Sequence, residues 1–421
     1  MSRISASSTS TRDQPDQHST STPDRHRSAQ YIKRGTPQFI RVTLALFSAG
    51  LATFALLYCV QPVLPLLSKE FGVSPAASSL SLSVSTALLA LGLLITGPLS
   101  DAIGRKSVMV TALMLASLCT LLSATMTSWH GILLMRALTG LALSGVAAVG
   151  MTYLSEEIHP SVIPFSMGLY ISGNSIGGMS GRLLSGVIAD FFSWRIAIAT
   201  IGCFSLAAAL MFWKILPPSR HFRPSSLRPK NLLINFHLHW HDRGLPLLFA
   251  EGFLLMGSFV TLFNYIGYRL VNPPWSLNQA IVGLLSIVYL TGTWSSPKAG
   301  TMTTRFGRSA VMLFSTAVML SGLLLTAFSS LWIILPGMML FTAGFFAAHS
   351  VASGWIGPRA RRAKGQASSL YLFSYYLGSS IAGTAGGLFW HNFGWPGITL
   401  FIGSLLVIAL LIGLQLRKRA V

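Results

Sequence analysis

Long apolar runs separated by short polar connections recur along the chain from residue 42 to near its end. They lie at 42–66, 77–98, 107–127, 131–154, 165–189 and 195–216 and, after a polar stretch, at 245–271, 279–297, 309–329, 331–355, 367–390 and 395–416. A helix needs about 20 apolar residues to cross about 30 Å of hydrocarbon. In lipid the backbone must satisfy its own polar groups, which favours helix. The pattern therefore predicts an all-α polytopic membrane protein with twelve transmembrane helices in two six-helix halves, residues 39–216 and 244–416. Residues 1–38, rich in Ser, Thr, Asp, His and Arg, contain no apolar run and are expected to be a disordered tail. Nothing before Arg41 resembles the apolar core of a signal peptide. Residues 217–243 form a linker in which Leu232, Leu233, Ile234, Phe236 and Trp240, beside Lys230 and Arg243, predict a helix lying on the membrane surface. Residues 417–421 are a short basic tail.

Composition narrows the class. Of 421 residues 52% are hydrophobic and 10% charged, with a mean hydropathy of +0.62, which excludes an ordinary water-soluble enzyme. The net charge of +20 suggests an anionic partner, but the Lys and Arg residues are spread over alternate connections and not gathered on one face. On the opposite connections stand only Lys69, Arg195 and Arg269. The positive-inside rule then places both termini and the linker in the cytoplasm, with anionic lipid headgroups and not nucleic acid as the partner. Cys59, Cys119 and Cys203 fall in three different apolar runs, so neither a disulfide nor a metal site is read from them. His237, His239 and His241 place at most two imidazoles on one helix face, and no Cys or acid cluster completes a ligand set. No metal and no cofactor is expected.

The halves repeat. Gly97–Arg105 aligns with Gly300–Arg308 at an offset of 203, which also pairs Gln61 with Asn264. An offset of 201 pairs Tyr170 with Tyr371, Gly177 with Gly378, Gly186 with Gly387 and Trp194 with Trp395. Parallel six-helix repeats imply a pseudo-twofold axis along the membrane normal and a solute site between the halves near mid-membrane. The segment GPLSDAIGRKSV, Gly97 to Val108, resembles the loop signature of the major facilitator superfamily, G-x-L-x-D-x-x-G-R-R/K, between its second and third helices. Arg136 to Gly140 is similar to the family's R-x-x-x-G element, and Gly173-Asn-Ser-Ile-Gly177-Gly178 resembles the glycine-rich motif of its proton-coupled exporters, with Asn174 where that motif carries proline. The resemblance covers roughly residues 31–416 and points to the drug-efflux-type branch. It implies a bacterial inner-membrane location, a monomer and secondary transport by alternating access.

Several residues follow as candidates. Gly97, Asp101, Gly104, Arg105 and Lys106 form the expected gating motif. An acid at a helix C-terminus requires a positive partner; Arg105 is near in sequence, and the resemblance adds the start of the eleventh helix around Gly365 and Gln366 as a latch between the halves. The plainer alternative is a local ion pair in a tight turn. Arg136 and Arg182 lie within spans, where an ionisable group faces protein or water. With Glu251 and Asp190 they are the coupling candidates, and a structural anchor bonded to backbone carbonyls is the alternative for each arginine. Glu251, two turns into the seventh span, is a proton carrier or a solvated helix-end carboxylate. Tyr58, Gln61, Tyr170, Asn174, Asn264, Tyr265, Tyr375 and Tyr376 are polar or aromatic mid-span residues on matching helices of both halves. They are expected to line the solute site or to join helices, and tyrosines suit an aromatic or amphipathic solute. Gly140, Gly173, Gly177, Gly178 and Gly181 are expected at close helix contacts.

The leading function is secondary active transport of a small organic solute, most specifically proton-coupled efflux of a drug-like compound or metabolite, with uptake or uniport of a sugar or metabolite as the alternative. A membrane enzyme would cluster catalytic groups at one depth, and none cluster here. No phosphate-binding G-x-x-x-x-G-K-S/T loop supports a nucleotide-driven pump, and no repeated filter supports a channel.

Overall fold

The computed structural model describes residues 31–222, 229–360 and 362–419. Most of the expected N-terminal tail, residues 1–30, and the last two residues of the basic tail lie outside the described residues. Ten of the helices are long and apolar enough to cross a membrane by length and composition. Two details reconcile these with twelve spans. Ile163–Phe191, the fifth span, is helical, but its glycines and serines, Asn174 and Arg182 dilute its hydropathy. Lys364–Arg419 is one assigned helix broken at Gly394, whose φ of 60° and ψ of −143° separate an eleventh span from a twelfth. The other spans are Pro37–Tyr58, Pro75–Ile103, Arg105–Thr125, Trp129–Glu157, Trp194–Ile215, Leu245–Val271, Gln279–Phe306, Arg308–Leu325 and Leu331–Arg359. The described residues contain no named strand, only one isolated bridge between Ile32 and Ile158.

The expected first span, 42–66, is corrected by the structure. Its helix runs from Pro37 to Tyr58 and stops; residues 59–63 turn, and a separate short helix covers Leu64–Phe71. Pro62 has no N–H to continue the ladder, and Pro65 favours the first turn of a new helix. The apolar run hid this break because the turn itself is apolar. The chain is also already engaged at Ile32, ahead of the tail boundary expected at 38: Ile32 is buried and exchanges backbone bonds with Glu157 and His159.

The repeat is visible in the backbone. Gly104 and Gly307, equivalent positions, turn the chain between consecutive spans with φ of 105° and 82°, a region that side chains with a Cβ avoid. Gly177 and Gly378, also equivalent, lie so close to the carbonyls of Leu51 and Phe253 that a Cβ at either would collide with backbone. Gly140, Gly173 and Gly181 likewise abut Ser85, Phe47 and Ala55, whereas Gly178 leaves room for the Arg182 guanidinium. A helix covers Pro229–Trp240 in the linker, with Ile234, Phe236, Leu238 and Trp240 exposed. One end of the bundle gathers residues 32, 100–106, 153–159, 216–222, 242–245 and 355–359; it is called the linker end below.

Candidate functional site

Contacts between the halves lie at the end opposite the linker. Ser68 and Tyr268 share a hydrogen bond of 2.6 Å, and the Tyr268 hydroxyl donates to the Leu64 carbonyl at 2.9 Å. Thr384 donates to the Ser83 hydroxyl at 2.8 Å. Tyr265, anchored by donating to the Gly383 carbonyl of its own half at 2.9 Å, reaches Ser79 of the other half at 3.4 Å. The Asp190 carboxylate accepts from the Gln279 backbone N–H at 3.0 Å, while the Gln279 side chain donates to the Pro62 carbonyl. Gly186 and Gly283 allow the fifth and eighth spans to touch backbone to backbone. Tyr265 and Asp190 therefore stand in a seal between the halves.

At the linker end the described side-chain bonds stay within one half and its adjoining linker. Arg105 pairs with Asp101 and with Glu156, at 3.1 Å and 2.7 Å to its two oxygens, and donates to Ser100 at 2.6 Å. Lys106 donates to the Leu216 carbonyl at 2.5 Å. Asp101 remains 43% exposed, and a Cβ built at Gly97 or at Gly365 would meet open space. The second half has Thr304 at the position of Asp101; its linker-end pair is Arg359 with Asp242 at 2.8 Å. Burial alone would raise the Asp242 carboxyl, but the Arg359 bond and the backbone N–H groups of Gly244 and Leu245 hold it below its ordinary value.

Beneath the seal lies a polar knot. Arg182, 3% exposed, donates from Nε to Gln61 Oε1 at 2.5 Å and from Nη1 to the Gly178 carbonyl at 2.6 Å. Its guanidinium lies 4.0 Å from the Tyr58 ring centroid and 4.6 Å from that of Tyr289. Gln61 Nε2 donates to Asn264 Oδ1 at 2.7 Å. Gln61 and Asn264 are repeat equivalents, so their bond falls where a twofold axis relating the halves would pass. The break after Tyr58 explains why Gln61 is available: it sits in the turn, off the helix ladder.

Aromatic residues extend the knot toward the linker end. Tyr375 packs against Tyr376 at 5.1 Å and against His349 at 4.6 Å, and His349 Nδ1 hydrogen-bonds the Tyr371 hydroxyl at 2.8 Å. Tyr371 lies against Gly252, next to Glu251. Glu251 is 1% exposed, and neither carboxylate oxygen has a hydrogen-bond partner among the described residues. Tyr170 packs on Gly150, and Asn174 reaches toward Gly50, within the first half. Arg136, by contrast, spends all its described bonds on backbone: Ser81 at 3.0 Å, Leu56 at 2.8 Å and Leu57 at 2.6 Å. Tyr289 and His349 are not among the candidates read from the sequence. For His349 the signal was present, an ionisable group inside a span; an isolated Tyr289 in an apolar run gives none.

Known proteins share this architecture. The family profile of the Major Facilitator Superfamily matches residues 44–288 and 258–420. The chain is 77% identical over 390 residues to the inner membrane transport protein YnfM of Escherichia coli (strain K12), covering 93% of this chain and 94% of that one. It is 47% identical over 380 residues to the MFS-type transporter YybF of Bacillus subtilis (strain 168), with 90% and 94% covered. Among solved structures, a bacterial homologue of the human lysosomal transporter Spinster, inward-facing and occupied, superposes with a TM-score of 0.75 at 13% identity, over 91% of this chain and 97% of that one. Duplicated bundles meeting at a sealed end, a motif loop at Gly97–Lys106 and these matches along nearly the whole chain lead to one assignment: the chain is a multi-pass membrane transporter belonging to the major facilitator superfamily.

Proposed function

We propose that the chain exports a small organic solute, drug-like or metabolic, in exchange for protons by alternating access. The observation that carries this reading is the asymmetry of the interface. Side-chain bonds join the halves at one end, while Asp101 and Arg105 at the other pair with each other and with Glu156 inside the first half. With the Lys- and Arg-rich linker end in the cytoplasm, the arrangement is a carrier sealed outside and parted inside, ready to load from the cell. Closing the inner side would bring Asp101 to the start of the eleventh span and break the outer bonds.

Glu251 is the proposed proton carrier. Its carboxylate is buried beside Gly252 and Tyr371 with no hydrogen-bond partner among the described residues, so no ion pair or hydrogen bond within the protein commits it and it is free to exchange a proton as the site opens to one side and then the other. Asn174 in place of the exporter motif's proline favours a second reading, uptake or uniport. Proteoliposomes with an imposed pH gradient, screened against metabolites and drugs, decide between them. Solute flux that collapses with the gradient and is lost from Glu251→Gln, with solute exchange retained, is expected. Flux indifferent to the gradient would refute coupling, and flux only in the inward direction would refute export.

A further inference from the structure

We infer that Arg182 is the anchor for a carboxylate on an aromatic solute, and that binding there releases the seal between the halves. The inference rests on the transport reading and names its substrate class.

The donors around Arg182 outnumber the acceptors. A guanidinium can only donate, so Gln61 must turn its oxygen toward it; the Gln61 amide nitrogen then donates to Asn264 Oδ1, leaving Asn264 Nδ2 as a further donor. Among the described residues that nitrogen is buried without a partner, as is the Tyr289 hydroxyl on the ring beside the guanidinium. The described bonds of Arg182 use Nε and Nη1 and leave Nη2 to a ligand. No acid among the described residues neutralises the cation: Asp190 is engaged by Gln279, Glu70 by Arg195, and Glu251 lies toward the linker end beside Tyr371. A buried cation with, among the described residues, an uncommitted Nη2, no neutralising acid and a neighbouring ring whose hydroxyl lacks a partner is completed by an acceptor-rich anion, and a carboxylate matches the fork of a guanidinium in two parallel bonds. Tyr58 and Tyr289, with Tyr375 and Tyr376 below, supply ring faces for an aromatic body.

The same geometry couples binding to opening. A carboxylate at Arg182 makes charge-assisted bonds about twice as strong as neutral ones and displaces the Gln61 amide. Freeing Gln61 also frees the Gln61–Asn264 bond between the halves. A solute that binds the parted knot better than the joined one shifts the population toward the open seal.

The test uses the full chain in lipid nanodiscs with benzoate, phenylacetate and cinnamate against their amides, read as binding isotherms and ligand-dependent shifts of the unfolding midpoint. The acids are expected to bind at least about tenfold tighter than the amides. Arg182→Gln removes that preference. Gln61→Ala, which removes the internal competitor, keeps the preference and tightens the acids, an outcome that loss of packing would not produce. Should Arg182→Gln fail to fold, Tyr289→Phe serves instead and weakens the acids about fivefold. Equal binding of acids and amides, or a folded Arg182→Gln that keeps the preference, overturns the inference. A protein that binds the acids but moves none across a proteoliposome membrane would sink the transport reading and leave this one standing. A carrier of neutral compounds with no acid preference would do the reverse.

Discussion

Arg136 and Arg182 sit in the same half, 2% and 3% exposed, and are put to opposite uses. The first span stops at Tyr58, so its last carbonyls lack intrahelical donors. Arg136, reaching from the fourth span, supplies them at Leu56 and Leu57 and adds Ser81 on the second. Three helices of one half are tied by bonds to backbone that no rigid-body movement of that half breaks. Arg182 is tied instead to the Gly178 carbonyl of its own helix and to a side-chain amide that continues into the other half. A buried arginine bound to backbone holds a fold together, whereas one bound to exchangeable side chains at an interface can let go. Burial alone does not distinguish them; the acceptors do.

The largest effect should come from Arg136. Replacing it with Gln removes three charge-assisted bonds, leaves the Leu57 carbonyl without a donor and Leu56 with only the Cys59 thiol, and should destabilise the protein by about 3–5 kcal/mol. The loss is read as a lower unfolding midpoint or poor recovery of folded protein from detergent. An Arg136→Gln protein that melts like the parent and only loses transport would erase the distinction between the two arginines.

The counterpart is Arg182→Gln, expected to keep most of its thermal stability and to lose transport by at least about tenfold, read as solute flux in proteoliposomes. Gln61→Glu sharpens the contrast. A carboxylate in the amide's place pairs with Arg182 within the first half and occupies the guanidinium that a solute would use, slowing turnover while raising the unfolding midpoint. Unchanged or faster turnover would show that transport does not need a free Arg182 guanidinium.

A smaller effect is expected from Tyr268→Phe, which removes the hydroxyl shared with Ser68 and Leu64 across the seal. Losing about 1 kcal/mol of joining energy should raise the population open on the sealed side about fivefold. The readout is a cysteine introduced at Ser379, a buried position one turn from Gly383 toward the linker end, in a background where Cys203 is replaced by Ser. A membrane-impermeant thiol reagent applied from the sealed side should label it faster when Tyr268→Phe is also present. Unchanged labelling would mean that the seal is held by helix packing at Gly186 and Gly283 and not by its hydrogen bonds.

The fold was legible because lipid allows few solutions: long apolar runs become helices, and the glycine-marked repeat recurs between the halves at nearly constant offsets, 203 and 201. Even the fifth span, diluted by Asn174 and Arg182, kept enough apolar residues to be found. What was hidden is non-local or locally unmarked. The turn at 59–63 is as apolar as the helix it interrupts, so only Pro62 and Pro65 hinted at it. Arg182 announced itself as a charge in a span, but its difference from Arg136 lies in acceptors brought from distant parts of the chain. Tyr289 acquires its place only when the eighth span packs across the fifth.

Arg359 extends the comparison to an arginine at the rim. It donates to Asp242 at 2.8 Å, and Asp242 also accepts from the backbone N–H groups of Gly244 and Leu245 at the start of the seventh span. With the side chains 19% and 29% exposed, water screens the pair, and Asp242→Asn should cost about 0.2–1 kcal/mol at neutral pH. The pH dependence follows from the direction of the shift. The folded protein holds the Asp242 carboxyl below its ordinary value of 3.8, so the stabilisation is complete above that value and is lost as pH falls through the lower, folded one. The parent and Asp242→Asn should therefore differ in unfolding midpoint at neutral pH and converge in acid. A gap that persists in acid would assign the loss to the geometry of the helix start. A rim effect as large as that of Arg136→Gln would show that screening by water does not set the scale of what each arginine contributes.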